Sequence, residues 1–282
     1  MFREIYFELI KMVNQKKNFI PIAGYVLFVI LCYIAFSTSL PTLAKMLGGF
    51  ESNPEEAKKY LDGFFFARIM LIPTFIVLMP IVMAALAGDC VAGEMQEGSL
   101  KLYMSRPRSR AKVILIKFVS VYLAGFVYSC FFATAGLLFG YLLFGLADAQ
   151  VLLLPGRVFG STVSIMTNYE ALVCYFYSSL YFSFSLMILG AMALFFSTVF
   201  NRMSSAAITV ITIYFVSYIV STLPFTGGIR PWLISEIMNN AFLFWLTPVP
   251  LGKLAVNLAT LALYMGGFLI AAVINFNCKD IR

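Results

Sequence analysis

The sequence contains no histidine and few charged residues, and both absences narrow the classes of protein to which it can belong. Without histidine, an imidazole metal site and a histidine general base are excluded. Charged residues make up 12% of the 282 residues, against roughly 25% in an average soluble domain. Hydrophobic residues make up 61%, so the chain is predicted to be an integral membrane protein.

Paired cysteines and common catalytic motifs are missing as well. The five cysteines are scattered without a C-x-x-C pair or metal-ligand spacing, and we interpret them as small apolar residues in helices. The sequence has no G-x-x-x-x-G-K-[ST] phosphate loop, which excludes a P-loop ATPase, and neither the H-E-x-x-H nor the G-x-S-x-G pattern occurs. We therefore expect no enzymatic activity, no cofactor and no bound metal.

Six apolar stretches are each long enough to cross a bilayer. A transmembrane helix needs about 20 residues, because the hydrocarbon core is about 30 Å thick and each residue rises 1.5 Å. Pro73 and Pro80 within the second span predict kinks. We expect an all-α membrane protein in which residues 1–282 form a single transmembrane domain. The predicted spans are 19–40, 65–87, 111–146, 171–196, 206–223 and 251–276.

Three other segments have patterns that differ from those of the spans. Residues 2–13 carry apolar side chains at helical spacing between charged ones, which predicts an amphipathic helix in the membrane interface. Residues 232–246 show the same alternation and predict a re-entrant or interfacial helix before span six. Residues 147–170 mix apolar and polar side chains, and we interpret them as a loop that dips into the interface.

Lysine and arginine are distributed unevenly between the two ends of the predicted bundle. Six spans place both termini at the same end, and that end receives thirteen of the 20 basic residues. The seven at the other end are balanced by seven acids. The positive-inside rule then places the termini and the segment 88–117 in the cytoplasm. Since topology accounts for the net charge of +7, we expect no nucleic acid partner.

The segment 88–117 is the longest polar interruption between apolar spans. Glu94 and Glu97 precede the pair Gly98 and Ser99, and six basic residues follow. A glycine followed by serine permits a sharp reversal of the chain. A loop with this many charges is expected to lie in water, and we interpret it as a surface that receives force from a partner protein.

The residues around this reversal indicate how such a surface is built. Residues 93–96 can continue span two or begin a short cytoplasmic helix. Residues 100–104 then supply an apolar knob beside charged rims, which is typical of a docking surface. The alternative is a basic loop that covers lipid head groups, although Glu94 and Glu97 are unfavourable against an anionic leaflet.

Ionisable residues deep in a bilayer mark functional sites, and almost none are predicted here. Arg68, Asp89, Lys117 and Glu170 lie near span ends, where we expect their side chains to reach the aqueous interface. A proton- or sodium-coupled transporter usually needs buried carboxylates. A stand-alone secondary transporter is therefore the first alternative to a permease driven from outside, and a membrane scaffold that anchors a partner complex is the second.

Residues 87–100 read A-G-D-x-x-A-G-E-x-x-x-G-[ST]-L, and a Ser-Arg-Pro turn at 105–107 and Lys117 follow. This run resembles the permease subunits of type 2 ABC exporters. The six spans, the N-terminal helix and the broken segment before span six also fit the fold of that family. Ser99 stands where threonine is common, which keeps the hydroxyl. Importer-type permeases carry a glycine six positions after the glutamate, whereas here Gly98 follows four positions after it.

The resemblance implies a transport system of several chains. In the family, each permease pairs with a cytoplasmic nucleotide-binding subunit, and two permeases form the transport path. It therefore implies two nucleotide-binding subunits that bind ATP and Mg²⁺, and a second permease in a homodimer or heterodimer, in the plasma membrane of a bacterium or archaeon. The resemblance further implies that closure of those subunits pushes the loop 88–110. The coupling surface implied for this sequence comprises Glu94, Glu97, Gly98, Ser99, Leu100, Tyr103 and Arg106.

Overall fold

A computed structural model of the chain describes residues 2–46, 62–100, 109–145, 149–153, 163–200, 202–246 and 248–279. Most of these residues are helical. The helices are α1 (Phe2–Val13), α2 (Ile20–Met46), α3 (Gly63–Pro73), α4 (Met79–Gln96), α5 (Arg110–Phe144), α6 (Asn168–Val199), α7 (Met203–Thr222), α8 (Ile234–Asn239) and α9 (Leu251–Cys278). Short 3₁₀ helices cover Lys16–Phe19, Arg230–Trp232 and Asn240–Trp245, and the strands are β1 (Ala149–Leu153) and β2 (Val163–Thr167).

Within the described ranges, six helical segments are long and apolar enough to cross a membrane, which confirms the predicted number. The second of these segments, Gly63–Gln96, joins α3 and α4 through a π-helical turn at Thr74–Leu78. The predicted kink at the two prolines of this span therefore takes the form of a widened turn. Pro80 directly follows this turn and has no N–H for the Ile76 carbonyl four residues earlier, which instead accepts the Tyr214 hydroxyl of α7 at 2.8 Å.

The spans are buried to very different degrees. Of the 18 consecutive residues that form the apolar stretch of α6, 72% are buried, and in Gly63–Gln96 the share is 61%. The corresponding share is 17% in α2 and α7 and 11% in α9. The second and fourth spans therefore form the centre of the bundle, and the first, fifth and sixth spans leave most of their apolar surface outside.

The end of the bundle opposite the termini is held by close packing and aromatic contacts. The main chains of Gly63 and Gly140 approach so closely that a Cβ on either would overlap the carbonyl of the other. The Gly63 N–H donates to the Gly145 carbonyl at 3.0 Å. Phe36 packs edge to face on Phe144 beside this contact, with 5.0 Å between the ring centroids.

The segment before span six enters the bundle, as a re-entrant helix does. Tyr181 of α6 donates its hydroxyl to the Ile237 carbonyl at 3.0 Å, and Ser178 donates to the Ala241 carbonyl at 3.1 Å. Ile237 and Trp245 are both buried. These contacts favour the re-entrant alternative over a helix that lies flat on the membrane.

Residues 147–170, interpreted from the sequence as a loop, contain an antiparallel strand pair. Ala149 pairs with Thr167 and Leu153 with Val163. Pairing satisfies main-chain groups that a loop at the membrane surface would have to hydrate. Thr167 then caps α6 in a capping box with Glu170, which is exposed and in that respect behaves as expected for a residue at a span end.

Candidate coupling site

The chain reverses direction directly after α4, where the sequence predicts a turn. The Glu97 N–H donates to the Gly93 carbonyl at 3.0 Å, and the Gly98 N–H donates to that of Met95 at 3.2 Å. Gly98 has a φ of 73°, a left-handed conformation that ends a helix and favours glycine. Of the two alternatives for residues 93–96, continuation of span two is therefore the one observed.

The stretch of the polar segment from residue 88 to residue 94 lies inside the bundle, although the sequence pattern predicts an aqueous loop there. It belongs to α4, and Gly88, Cys90, Val91, Ala92, Gly93 and Glu94 are buried. No proline interrupts this stretch, and its glycine and alanine residues permit close helix packing. The expected aqueous loop therefore starts later in the chain.

The candidate coupling residues differ in their exposure, and two of them lie outside the described residues. Glu97 is exposed, whereas Leu100 is buried in the core of this chain, so the expected apolar knob is not free at that position. Ser99 donates its hydroxyl to the Glu94 carbonyl at 3.3 Å, and this hydrogen bond stabilises the turn. Tyr103 and Arg106 lie outside the described residues.

Glu94 is 7% exposed and forms two short ion pairs. One carboxylate oxygen lies 2.6 Å from the Lys11 ammonium of α1, and the other lies 2.7 Å from the Lys117 ammonium of α5. Glu8 of α1 lies 3.6 Å from the same Lys117 ammonium. We name Glu8, Lys11, Glu94 and Lys117 the ion-pair cluster. Its two acids balance its two bases, which allows these charges to be buried.

The sequence predicts that the Lys117 side chain reaches the aqueous interface, and the structure shows that this prediction is wrong. Lys117 is 1% exposed and does not reach the aqueous interface, because Glu8 and Glu94 compensate its charge inside the protein. The spacing of the charged residues in α1 is the sequence pattern that could have indicated these ion pairs. Glu4, Glu8 and Lys11 recur at helical spacing, and each pairs with a residue of α4 or α5.

Ser197 of α6 connects the centre of the bundle to the inner end of α4. Its hydroxyl donates to the Gly88 carbonyl at 2.8 Å and accepts the N–H of Ala92 at 2.8 Å and that of Val91 at 3.2 Å. Gly88 and Ala92 are spaced as hydrogen-bonding partners in a regular α-helix. The hydroxyl therefore lies between a carbonyl and an N–H that are normally bonded to each other within α4, five residues before the chain reversal begins. The sequence alone does not predict this contact.

The start of span three also holds the end of span six. Arg110 donates to the carbonyls of Phe276 and Lys279, both at 2.8 Å, and to that of Asn277 at 3.0 Å. Lys279 in turn donates to the Thr198 carbonyl at 2.7 Å, and partial burial lowers the pKa of its ammonium. These basic side chains satisfy carbonyls at the ends of α6 and α9.

Comparison with known families places this arrangement in context. The family described as ABC-2 family transporter protein matches residues 7–279, which include all six spans. The chain belongs to the ABC-2 transporter family. The resemblance to type 2 ABC permeases, drawn from residues 87–100, is thereby confirmed. A search of curated proteins finds no match to the sequence.

Membership of the ABC-2 family makes the chain a multi-pass permease component of an ABC transporter. Components of this kind normally lack an ATPase of their own and associate with ATP-binding subunits. In this ABC-2 permease the ion-pair cluster, Ser197 and Arg110 join α1, α4, α5, α6 and α9 near the chain reversal.

Arg68 lies near the other end of span two in this ABC-2 permease, and it too departs from expectation. It is 7% exposed rather than at the interface. Its guanidinium lies over the Phe65 ring at 5.3 Å and over the Trp245 ring at 5.2 Å. Aromatic faces attract a cation and shield it from lipid. Trp245 comes from a distant part of the chain, so no local pattern predicts this contact.

Proposed function

We propose that this permease exports its substrate through conformational changes driven by separate ATP-binding subunits, which dock on the part of the segment 88–110 that follows the buried Glu94. The observation that carries the proposal is the ion-pair cluster. It fixes the residue just before the chain reversal, Glu94, to both α1 and α5. Force applied at the reversal then moves three helices together rather than bending one loop.

The coupling residues divide into a contact set and a supporting set. Glu97 is exposed at the reversal and, with Tyr103 and Arg106 in the segment that follows, forms the contact set. Glu94, Gly98, Ser99 and Leu100 shape the turn from its buried side. Charged residues at the rim fix the orientation of a partner, whereas buried residues keep the surface rigid.

Span two provides the moving element of the mechanism. Closure of the ATP-binding subunits pushes the reversal toward the membrane, and α4 tilts about the π-helical turn at Thr74–Leu78. Spans two and three then move together, because Lys117 of α5 is bound to Glu94. A second permease completes the transport path, with one ATP-binding subunit on each permease. The exposed apolar faces of α2, α7 and α9 offer surfaces for that second permease and for lipid.

The direction of transport and the orientation rest on the sequence. The spacing of four between Glu94 and Gly98 favours the exporter branch over the importer branch. The excess of lysine and arginine at the end that holds the termini favours a cytoplasmic location for both termini in a prokaryotic plasma membrane. In a variant that lacks the five native cysteines, Glu97→Cys should allow reaction with an impermeant maleimide only after the cytoplasmic side is opened.

A stand-alone secondary transporter fits the structure less well. Such a transporter needs a buried group that binds and releases an ion. Glu8 and Glu94 are buried carboxylates, but both are paired with lysine. Membership of the ABC-2 family also implies association with ATP-binding subunits, which supports ATP as the energy source.

The decisive experiment is co-purification with the ATP-binding partner, followed by an ATPase assay. Charge reversal by Glu97→Lys should weaken the complex by about tenfold, as expected for loss of a charge-assisted contact. Lys253→Glu is the matched control, because it reverses an exposed charge at the opposite end of the bundle. The permease alone should hydrolyse no ATP. Full complex formation after replacement of residues 97–106 by a flexible linker would exclude this docking site.

A further inference from the structure

The π-helical turn of span two is bound to span five by one hydrogen bond from a side chain. Pro80 cannot donate to the Ile76 carbonyl, and the Tyr214 hydroxyl of α7 donates to it instead at 2.8 Å. Tyr214 is 1% exposed, so this contact is shielded from solvent. A side chain of a second helix therefore satisfies a main-chain group that span two itself leaves open.

This hydrogen bond lies at the axis of the tilt proposed for α4. The turn covers Thr74–Leu78, and Ile76 is its middle residue. Rotation about an axis displaces atoms in proportion to their distance from it, so a contact at the axis keeps its length while the inner end of α4 moves. Tyr214 therefore holds the axis in place without opposing the tilt. The role of this contact in transport rests on the proposed function.

A stripe of buried residues attaches α7 to the rest of the bundle. These residues recur on one helical face and are Ala206, Val210, Tyr214, Ser217 and Ser221. The Ser217 hydroxyl oxygen accepts the N–H of Ser235, near the start of α8, at 3.2 Å, and the two hydroxyls lie 3.0 Å apart. The stripe thus binds the turn of span two at one point and the re-entrant segment one helical turn further along α7.

We propose that Tyr214 is a positioning residue that sets the axis about which span two bends. Its hydroxyl joins the π-helical turn to α7, and Ser217 joins α7 to α8, so the turn keeps its place when the inner half of the span moves. Without the hydroxyl, the Ile76 carbonyl is unsatisfied in apolar surroundings, which favours other bends that satisfy it. Loss of one such hydrogen bond changes populations by about fivefold.

The test measures the distance between nitroxide labels on the two halves of span two, in the full chain in lipid nanodiscs. Ile69→Cys and Ala85→Cys, in a variant without the five native cysteines, place labels at exposed positions about 24 Å apart on either side of the turn. Pulsed electron spin resonance gives the distance distribution. Tyr214→Phe keeps the ring and removes the hydroxyl, and about fivefold more of the population should lie outside the native peak.

Two further variants separate this hydrogen bond from a general loss of stability. Tyr181→Phe removes another buried tyrosine hydroxyl, which bonds α6 to the re-entrant segment, and should leave the distribution unchanged. Pro80→Ala supplies an N–H for the Ile76 carbonyl, so its combination with Tyr214→Phe should regain the narrow distribution. An unchanged distribution in Tyr214→Phe, equal broadening in the two tyrosine variants, or no rescue by Pro80→Ala would overturn the proposal.

The measurement uses the permease alone, so its result does not depend on where the ATP-binding subunits dock. Addition of those subunits and ATP should then shift the distance between the two labels in the chain with native Tyr214. No shift there would contradict the proposed coupling mechanism, whereas the assignment of Tyr214 is decided by the variants in the absence of ATP.

Discussion

Lys117 and Arg68 are both buried cations in a membrane protein, yet the two ends of the bundle accommodate them differently. Lys117 lies among the carboxylates of Glu8 and Glu94, which come from other helices. Arg68 lies over the rings of Phe65 and Trp245 at the opposite end, where the buried carboxylate of Asp62 also acts on its charge. The first end therefore joins three helices by ion pairs, whereas the second adds aromatic faces and close main-chain contact.

The mechanism that we propose gives the two ends of the bundle different mechanical tasks. A buried ion pair binds strongly once formed and loses much energy when one partner is removed. It therefore suits an end that transmits force as a unit. Aromatic contacts are weaker individually and tolerate small shifts, which suits the end that lies beyond the π-helical turn about which α4 is proposed to tilt. The following substitutions test this contrast.

Lys117→Met should have the largest effect on stability. It leaves Glu8 and Glu94 buried with a carboxylate excess, which should lower the free energy of unfolding by about 3–5 kcal/mol. Equilibrium unfolding in mixed detergent micelles measures the change.

Lys112→Met is the matched control for this substitution, because the Lys112 side chain is 49% exposed and its pair with Glu4 is 3.6 Å long. Its cost should stay below about 1 kcal/mol. Equal losses in the two variants would show that burial does not set the strength of these pairs.

Gly140→Ala should be the most damaging small change at the opposite end. The added methyl group overlaps the Gly63 carbonyl, so the main chains must separate, at a cost of up to about 3 kcal/mol. The same unfolding assay applies. Gly266→Ala adds a methyl group in open space on α9 and should be neutral or slightly stabilising. A neutral Gly140→Ala would mean that this end is loosely packed.

Arg68→Met should cost about 2 kcal/mol, because it removes the cation from two aromatic faces and from the buried Asp62 carboxylate while keeping most of the apolar contact. Arg202→Met, at an exposed position, is the control and should change stability little. A loss larger than that of Lys117→Met would reverse the proposed order of the two ends.

Ser197→Ala should have the smallest effect, about 1 kcal/mol, since α4 can close its own hydrogen-bond ladder once the hydroxyl is gone. Ser183→Ala removes a buried hydroxyl that bonds only within α6 and serves as the control. Hydrogen exchange of the Ala92 amide reports the change directly. Slower exchange in Ser197→Ala would contradict the role of the hydroxyl as a bridge between spans.

The helical membrane fold could be predicted from the sequence because few backbone conformations satisfy their main-chain hydrogen bonds in lipid. An apolar run of about 20 residues must satisfy its own main-chain groups, and a helix does so locally. Helix α1 was also predictable, since its amphipathic pattern is contained within twelve residues. In both cases the deciding information is local.

The burial of Lys117 and Arg68 was not predictable, because it depends on residues far away in the chain. Lys117 pairs with Glu8, 109 positions earlier, and Arg68 packs on Trp245, 177 positions later. A position near the end of a span favours an exposed cation unless such partners are known. The strand pair at 149–167 was missed for the same reason, since each strand is stabilised by the other.

The π-helical turn at Thr74–Leu78 sets the rotational phase of span two. A π-helical turn of this kind accommodates one residue more than a regular α-helix, and each residue turns a helix by about 100°. Deletion of one residue there would therefore restore a regular α-helix and leave the inner half of the span in nearly the same rotational position, with Glu94 still facing Lys117. A regular α-helix of the present length would instead rotate the inner half by about 100° and turn Glu94 away from Lys117.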